Sequence, residues 1–384
     1  MKKISIIIAL LTFCFLNMSA AKQTPAEQLM QRLLKIQKKG YMYGHQDDPF
    51  YGITWEYEDG RSDTKDLVGD YPAVMGFELG GIEMDDAKNL DSVPFNRMRD
   101  EIIAHYNRGG VITISWHPRN PLLGTTAWIE NDVKAYNEAV AALVKINQSE
   151  LAKQIVDPKT TVKNILPGGT KYQYFQTWLK KLTDFFTSLK DSKGNQIPFI
   201  FRPYHENSGS WFWWGKDLCS TKEYLDLWAM TQDYINKVAV KNGKLEDYLI
   251  WSYSPSWYHD CAMERYPGDD RIQLIGTDVY MWGTEEDFKE KLEMELQNIT
   301  RLGKEHNKAI AITECGYKNS PDPTWWQRVF KPVIEKYKFS YFLTWRNYKE
   351  EHFGVSPDAT TAKDFKEWSK AKNLLFAKDI KSIK

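Results

Sequence analysis

Two glutamates close short apolar runs: Glu206, in Arg202-Pro203-Tyr204-His205-Glu206-Asn207, and Glu314, in Ile312-Thr313-Glu314-Cys315-Gly316. A carboxylic acid and a carboxylate brought to one cleft can break an acetal. The acid protonates the leaving oxygen, and the second group attacks the anomeric carbon or activates water. A separation of about 5–5.5 Å would make the reaction a retaining one. The competing reading is two rim glutamates in ion pairs with Arg202 or Arg346, since such pairs are common at surfaces. The neighbours favour chemistry. Ser210-Trp211-Phe212-Trp213-Trp214-Gly215 follows Glu206, Trp257 and Tyr258 follow another run, and Tyr280, Trp282 and Trp345 close others. Aromatics gathered in loops, without helical spacing, suit a wet cleft that stacks sugar rings. Trp211 or Trp214 is the expected platform.

Eight apolar runs are positioned to carry these residues: 40–44, 73–77, 110–116, 198–204, 248–253, 272–277, 309–313 and 341–345. Several are apolar at consecutive positions, as strands buried on both faces are. Amphipathic stretches separate them, including 24–38, 221–240 and 285–306. This alternation predicts an α/β fold, a (β/α)8 TIM barrel in one domain with long βα-loop insertions. A doubly wound sheet would want a Gly-rich turn after its first strand; the chain has Gly44-His45-Gln46-Asp47-Asp48-Pro49 there. The ends of the runs carry His45, Glu78, His117, His205, Glu206, Asp278, Tyr280, Glu314, Trp345 and Arg346, on the rim where barrel enzymes keep their chemistry. Glu78 is expected in a structural ion pair. Arg202 is expected to support Glu206. The long connection between Trp116 and Pro198 holds two amphipathic stretches, 131–154 and 172–190, placed to shape a cleft.

Lys2, Lys3, an apolar run from Ile4 to Met18 and Ser19-Ala20-Ala21 read as a signal peptide over 1–21. The run is short and interrupted for a membrane span. The expectation is an exported protein, periplasmic or secreted, with the catalytic domain over 22–384. Lys+Arg and Asp+Glu are both 51, a balance that argues against nucleic-acid or anionic-membrane partners. A monomer is expected. No CxxC or HExxH pattern occurs, so neither a metal nor another cofactor is expected. Cys219 and Cys261 can pair in an oxidising compartment, or stay as buried thiols.

Taken in order, the motifs resemble glycoside hydrolase family 26, most of whose members are β-1,4-mannanases. The resemblance rests on Gly44-His45-Gln46, Ser115-Trp116-His117-Pro118, the Glu206 segment with its Trp-rich loop, Thr277-Asp278-Val279-Tyr280, the Glu314 segment and Thr344-Trp345-Arg346-Asn347. It implies Glu206 as acid/base and Glu314 as nucleophile. It implies that His205 and Tyr280 hydrogen-bond the nucleophile. His117, Trp345 and Arg346 would contact sugars on the non-reducing side, with Asp278 orienting its neighbours. The implied substrate is mannan, glucomannan or galactomannan, as polysaccharide or manno-oligosaccharide. Members acting on mixed-linkage β-glucan or β-1,3-xylan keep those substrates in play. A non-catalytic carbohydrate-binding protein is the alternative of another class. Endo and mannobiose-releasing exo action both stay open.

Overall fold

The computed structural model describes residues 23–256 and 263–383. The expected signal peptide, Trp257, Tyr258 and Cys261 lie outside the described residues. The first helix, α1 (Pro25–Gln37), starts at a capping box: Thr24 Oγ1 accepts from Glu27 N at 3.1 Å, and Thr24 N donates to the Glu27 carboxylate at 2.8 Å. These bonds satisfy amides that a helix start otherwise leaves bare. One face of α1, with Leu29, Leu33 and Ile36, is buried.

The eight runs form eight parallel strands: β1 (Tyr41–Gln46), β2 (Val74–Glu78), β3 (Val111–Trp116), β4 (Phe199–Pro203), β5 (Leu249–Tyr253), β6 (Leu274–Met281), β7 (Ala309–Tyr317) and β8 (Tyr341–Thr344). Each pairs with the next, and β8 returns to β1 through Met42↔Tyr341 to His45↔Thr344, closing the barrel. A short β9 (Leu374–Leu375) adds to β1 outside the ring. Every residue of β1 to β5 and of β8 is buried, and successive side chains alternate between two clusters. Met42, Val74, Val111, Ile200, Ile250, Leu274, Ala309, Ala311, Tyr341 and Leu343 form one cluster with α1, which plugs the barrel. Met75, Ile112, Phe201, Ile275 and Ile312 belong to a second cluster with residues of the outer helices.

Two strands outrun the prediction. Beyond a register shift at Thr277/Asp278, β6 and β7 keep pairing through Asp278↔Glu314 and Tyr280↔Gly316. Asp278, Tyr280 and Glu314 therefore sit on sheet, and rigid sheet positions side chains more closely than a loop does. The long insertion holds α2 (Glu130–Lys145), none of whose residues is buried, and α3 (Tyr172–Ser188), which buries Phe175, Trp178, Leu182 and Phe186. Its start is tied to the Glu206 loop by Ile129 N→Trp211 O at 2.9 Å and Trp213 N→Ala127 O at 3.1 Å. Next, α4 (Thr221–Asn236) begins at a Ser220 capping box, and α5 (Glu285–Glu305) follows β6. After β7, Trp326–Phe330 is a π turn before the short helix Lys331–Ile334. Pro332, which lacks an N–H, sits at the junction.

Candidate active site

A cleft of about 490 Å³ opens at the C-terminal mouth of the barrel, and both Glu206 and Glu314 line it. A larger cavity of about 1080 Å³ lies at the other end, among the start of α1, Val111, Pro198 and Tyr248. That end of a barrel serves stability more than chemistry.

Glu314 stands on β7 with donors on both oxygens. The Tyr280 hydroxyl donates to Oε2 at 2.7 Å, and Arg202 Nη2 donates to Oε1. The other nitrogen of the fork, Nη1, bonds Asp278 Oδ2 at 3.0 Å and Ser254 Oγ at 3.1 Å. Thr313 Oγ1 donates to Asp278 Oδ1 at 2.7 Å. Asp278 is buried, so it orients Arg202. The expectation that Arg202 supports Glu206 is corrected by this geometry. Ile200, two residues earlier on β4, faces the barrel interior. Arg202 shares that face and crosses to β6 and β7. His205 also departs from expectation. Its Nε2 is 3.8 Å from Glu314 Oε1, too far for a hydrogen bond. Burial, then the positive charge of Arg202 and His117, pushes its pKa well below the ordinary histidine value, so it is neutral.

Glu206 follows β4 with a left-handed backbone, φ 52°, as does Tyr204 at φ 48°. Such conformations persist where surroundings over-determine them. Here the Glu206 amide donates to Ser254 O at 2.9 Å, and Gly209 N donates to the Glu206 carbonyl at 3.0 Å. Trp211 Nε1 donates to Glu206 Oε2 at 2.7 Å. Burial, then the nearby Glu314 charge, pushes the Glu206 pKa up to about 7, against the Trp211 bond and Arg202. The two carboxyl groups are thus dressed differently, one by a cation and a phenol, the other by an indole.

Aromatic walls flank the pair. On one side Trp128, 44% exposed, lies parallel to His117 at 5.4 Å. Glu78 fixes His117: Nδ1 is 2.8 Å from Oε2, and the His117 amide donates to Oε1 at 2.7 Å. Burial opposes protonation of His117, but Glu78 more than offsets it, and the pKa lies above the ordinary value. Half-buried Trp345 meets His117 edge-on at 6.1 Å. Half-buried Arg346 holds Asp91 Oδ1 through Nε at 2.7 Å. On the other side Trp282, 68% exposed, stacks on Tyr280 at 5.6 Å. Half-buried Trp211 lines the cleft. Trp214 does not: its ring is fully buried, its Nε1 donates to His205 O at 2.7 Å, and Phe212 stacks on it at 4.6 Å. No face is left for a sugar, so the Trp214 platform is corrected to a support beneath His205. Trp128 and Phe353 are lining residues that sequence reasoning missed. Neither ends a predicted strand, and no spacing marks them.

Residues 18–367 match the profile of glycosyl hydrolase family 26. The chain belongs to that family. A structure described as a family 26 β-mannanase from Bacteroides ovatus shares 38% identity, with a TM-score of 0.81 over 93% of this chain and 96% of that one. A modular endo-β-1,4-mannanase from Cellulomonas fimi shares 26%, with a TM-score of 0.75 over 92% of this chain and 76% of that one. Among curated relatives, a mannan endo-1,4-β-mannosidase of Bifidobacterium adolescentis is 26% identical over 398 residues, covering 94% of this chain and 36% of its own length. One of Bacillus subtilis is 25% identical over 290 residues, covering 74% of this chain and 68% of its own length. This chain therefore spans about a third of the first curated relative and about two thirds of the second. As a family 26 member it is a glycoside hydrolase on a (β/α)8 barrel. Among its described residues, no helix is long and apolar enough to cross a membrane.

Proposed function

We propose that this family 26 hydrolase cuts β-1,4-mannosidic bonds in mannan, glucomannan or galactomannan by double displacement, with Glu314 as nucleophile and Glu206 as acid/base. The observation that carries the reading is the unequal dressing of two carboxyl groups in one cleft. Glu314, oriented by Tyr280 and Arg202, attacks the anomeric carbon. As the C1–O bond breaks, its electrons go to the leaving oxygen, which takes the proton of Glu206. Glu206 then removes a proton from water, and that oxygen attacks C1 and displaces Glu314 as a carboxylate. A carboxyl with a pKa near 7 serves both halves close to neutral pH.

The substrate follows from the relatives, which are named for mannan endo-1,4-β-mannosidase or β-mannanase activity. Exposed Trp128 and Trp282 both line the cleft and suit a chain lying along it, which supports endo action. Export with removal of residues 1–21 belongs to the same reading, and N-terminal sequencing of the mature protein tests it: a start at Met1 refutes export by cleavage. Incubation with linear mannan, lichenan and β-1,3-xylan tests the substrate. A ladder of manno-oligosaccharides from the first polymer alone is expected, and no product from mannan overturns the proposal. Early NMR spectra should show the β-anomer of the new reducing end, because two displacements restore configuration.

A further inference from the structure

Stacking alone would need only the face of Trp211, yet its edge is aimed at Glu206. Its Nε1 meets Glu206 Oε2 at 2.7 Å. An indole N–H donates and cannot accept. In a protonated carboxyl the carbonyl oxygen is the better acceptor, so a fixed donor at Oε2 leaves the proton on Oε1. Both partners are held in place. The Glu206 backbone is pinned at both its N–H and its carbonyl, and the Trp211 carbonyl accepts from Ile129 N. The indole itself lies in a notch. A Cβ added at Gly209 would fall 2.2 Å from the Trp211 ring, so only glycine lets the ring sit there.

From this geometry we infer that Trp211 is a positioning residue that assigns the Glu206 proton to Oε1, and that Gly209 is the seat that aims it. One carboxyl oxygen is thereby reserved as the proton donor to the departing sugar oxygen. The inference rests on Glu206 being the acid. It differs from a platform role, in which the ring would affect sugar affinity alone.

The test compares Trp211→Phe, Gly209→Ala and Glu206→Ala on two aryl β-mannobiosides. Phenol leaves only with protonation; 2,4-dinitrophenolate leaves without it. Trp211→Phe keeps a ring and removes the N–H. Its kcat on the phenyl substrate is expected to fall about 10- to 100-fold, part of what a general acid supplies. KM and the dinitrophenyl glycosylation rate should hold within about two-fold, since neither needs the proton. The lost bond had favoured the carboxylate, so the alkaline limb of kcat/KM should rise by about one pH unit. Gly209→Ala, which retains the indole, should reproduce the leaving-group pattern by tilting the ring away. Equal losses on both substrates, or a raised KM with an unmoved limb, overturn the inference and leave Trp211 as a platform. If Glu206→Ala itself loses the two substrates equally, the Glu206 assignment falls and this inference falls with it. Circular dichroism confirms that each variant is folded.

Discussion

The phenol of Tyr280 does one thing at the site: it donates to Glu314 at 2.7 Å. Tyr280→Phe keeps the ring on Trp282 and removes that donor. We expect kcat to drop about 10²-fold, in the range for losing one donor at a reacting centre, with an unchanged melting curve. A kcat within two-fold of wild type would show that Arg202 alone orients Glu314. Glu206 sets the pH dependence. Activity needs its protonated form, so kcat/KM should fall as pH rises through about 7. The same shift enters stability. The folded pKa lies above the ordinary carboxylate value, so the stabilising contribution is full at acid pH and is lost as pH rises through about 7. Glu206→Gln should thus raise the melting temperature at pH 8 by a few degrees and leave it nearly unchanged near pH 4. An equal gain at both values would place the effect elsewhere. At this scale residue types were legible and directions were not. Arg202 lies near Glu206 in the chain, yet strand alternation aims it at Glu314. Trp211 and Trp214 stand in one aromatic run, and no spacing tells which ring faces the cleft and which supports the loop.

All eight strands were readable because barrel strands are buried on both faces and stay apolar residue after residue. The ends of β6 and β7 were not. Past Thr277 the side chains turn polar at Asp278, and past Thr313 at Glu314. A polar residue reads as the end of a strand, although backbone pairing continues to Met281 and Tyr317. The site's rigidity comes from that hidden extension. The role of α1 was also silent, since an amphipathic helix does not announce that its apolar face will plug a barrel. Leu33 is fully buried against the interior strand residues. Leu33→Ala should cost about 2–5 kcal/mol of stability, read by urea denaturation, with kcat per folded molecule intact. Lost activity without lost stability would mean that the plug reaches the cleft.

The whole chain carries 51 basic and 51 acidic residues. With charges so nearly balanced and an uncharged polysaccharide as the proposed substrate, electrostatic steering has little to act on. Hydrolysis of soluble mannan should change less than about two-fold between 50 mM and 500 mM NaCl, because screening acts only on charged encounters. A steep decline would point to an anionic substrate. Balanced charge was legible at once; ring closure has a further consequence for how the chain is made. The Tyr43 hydroxyl meets Thr344 Oγ1 across 301 residues, and within the ring β1 finds its second neighbour only in β8. No partial chain can complete the ring, and contacts of such long range form late. A polypeptide still being synthesised therefore lacks the closed ring until its last barrel strand is made. A chain stopped before residue 341 keeps two bare strand edges, on β1 and β7, and belongs in the insoluble fraction.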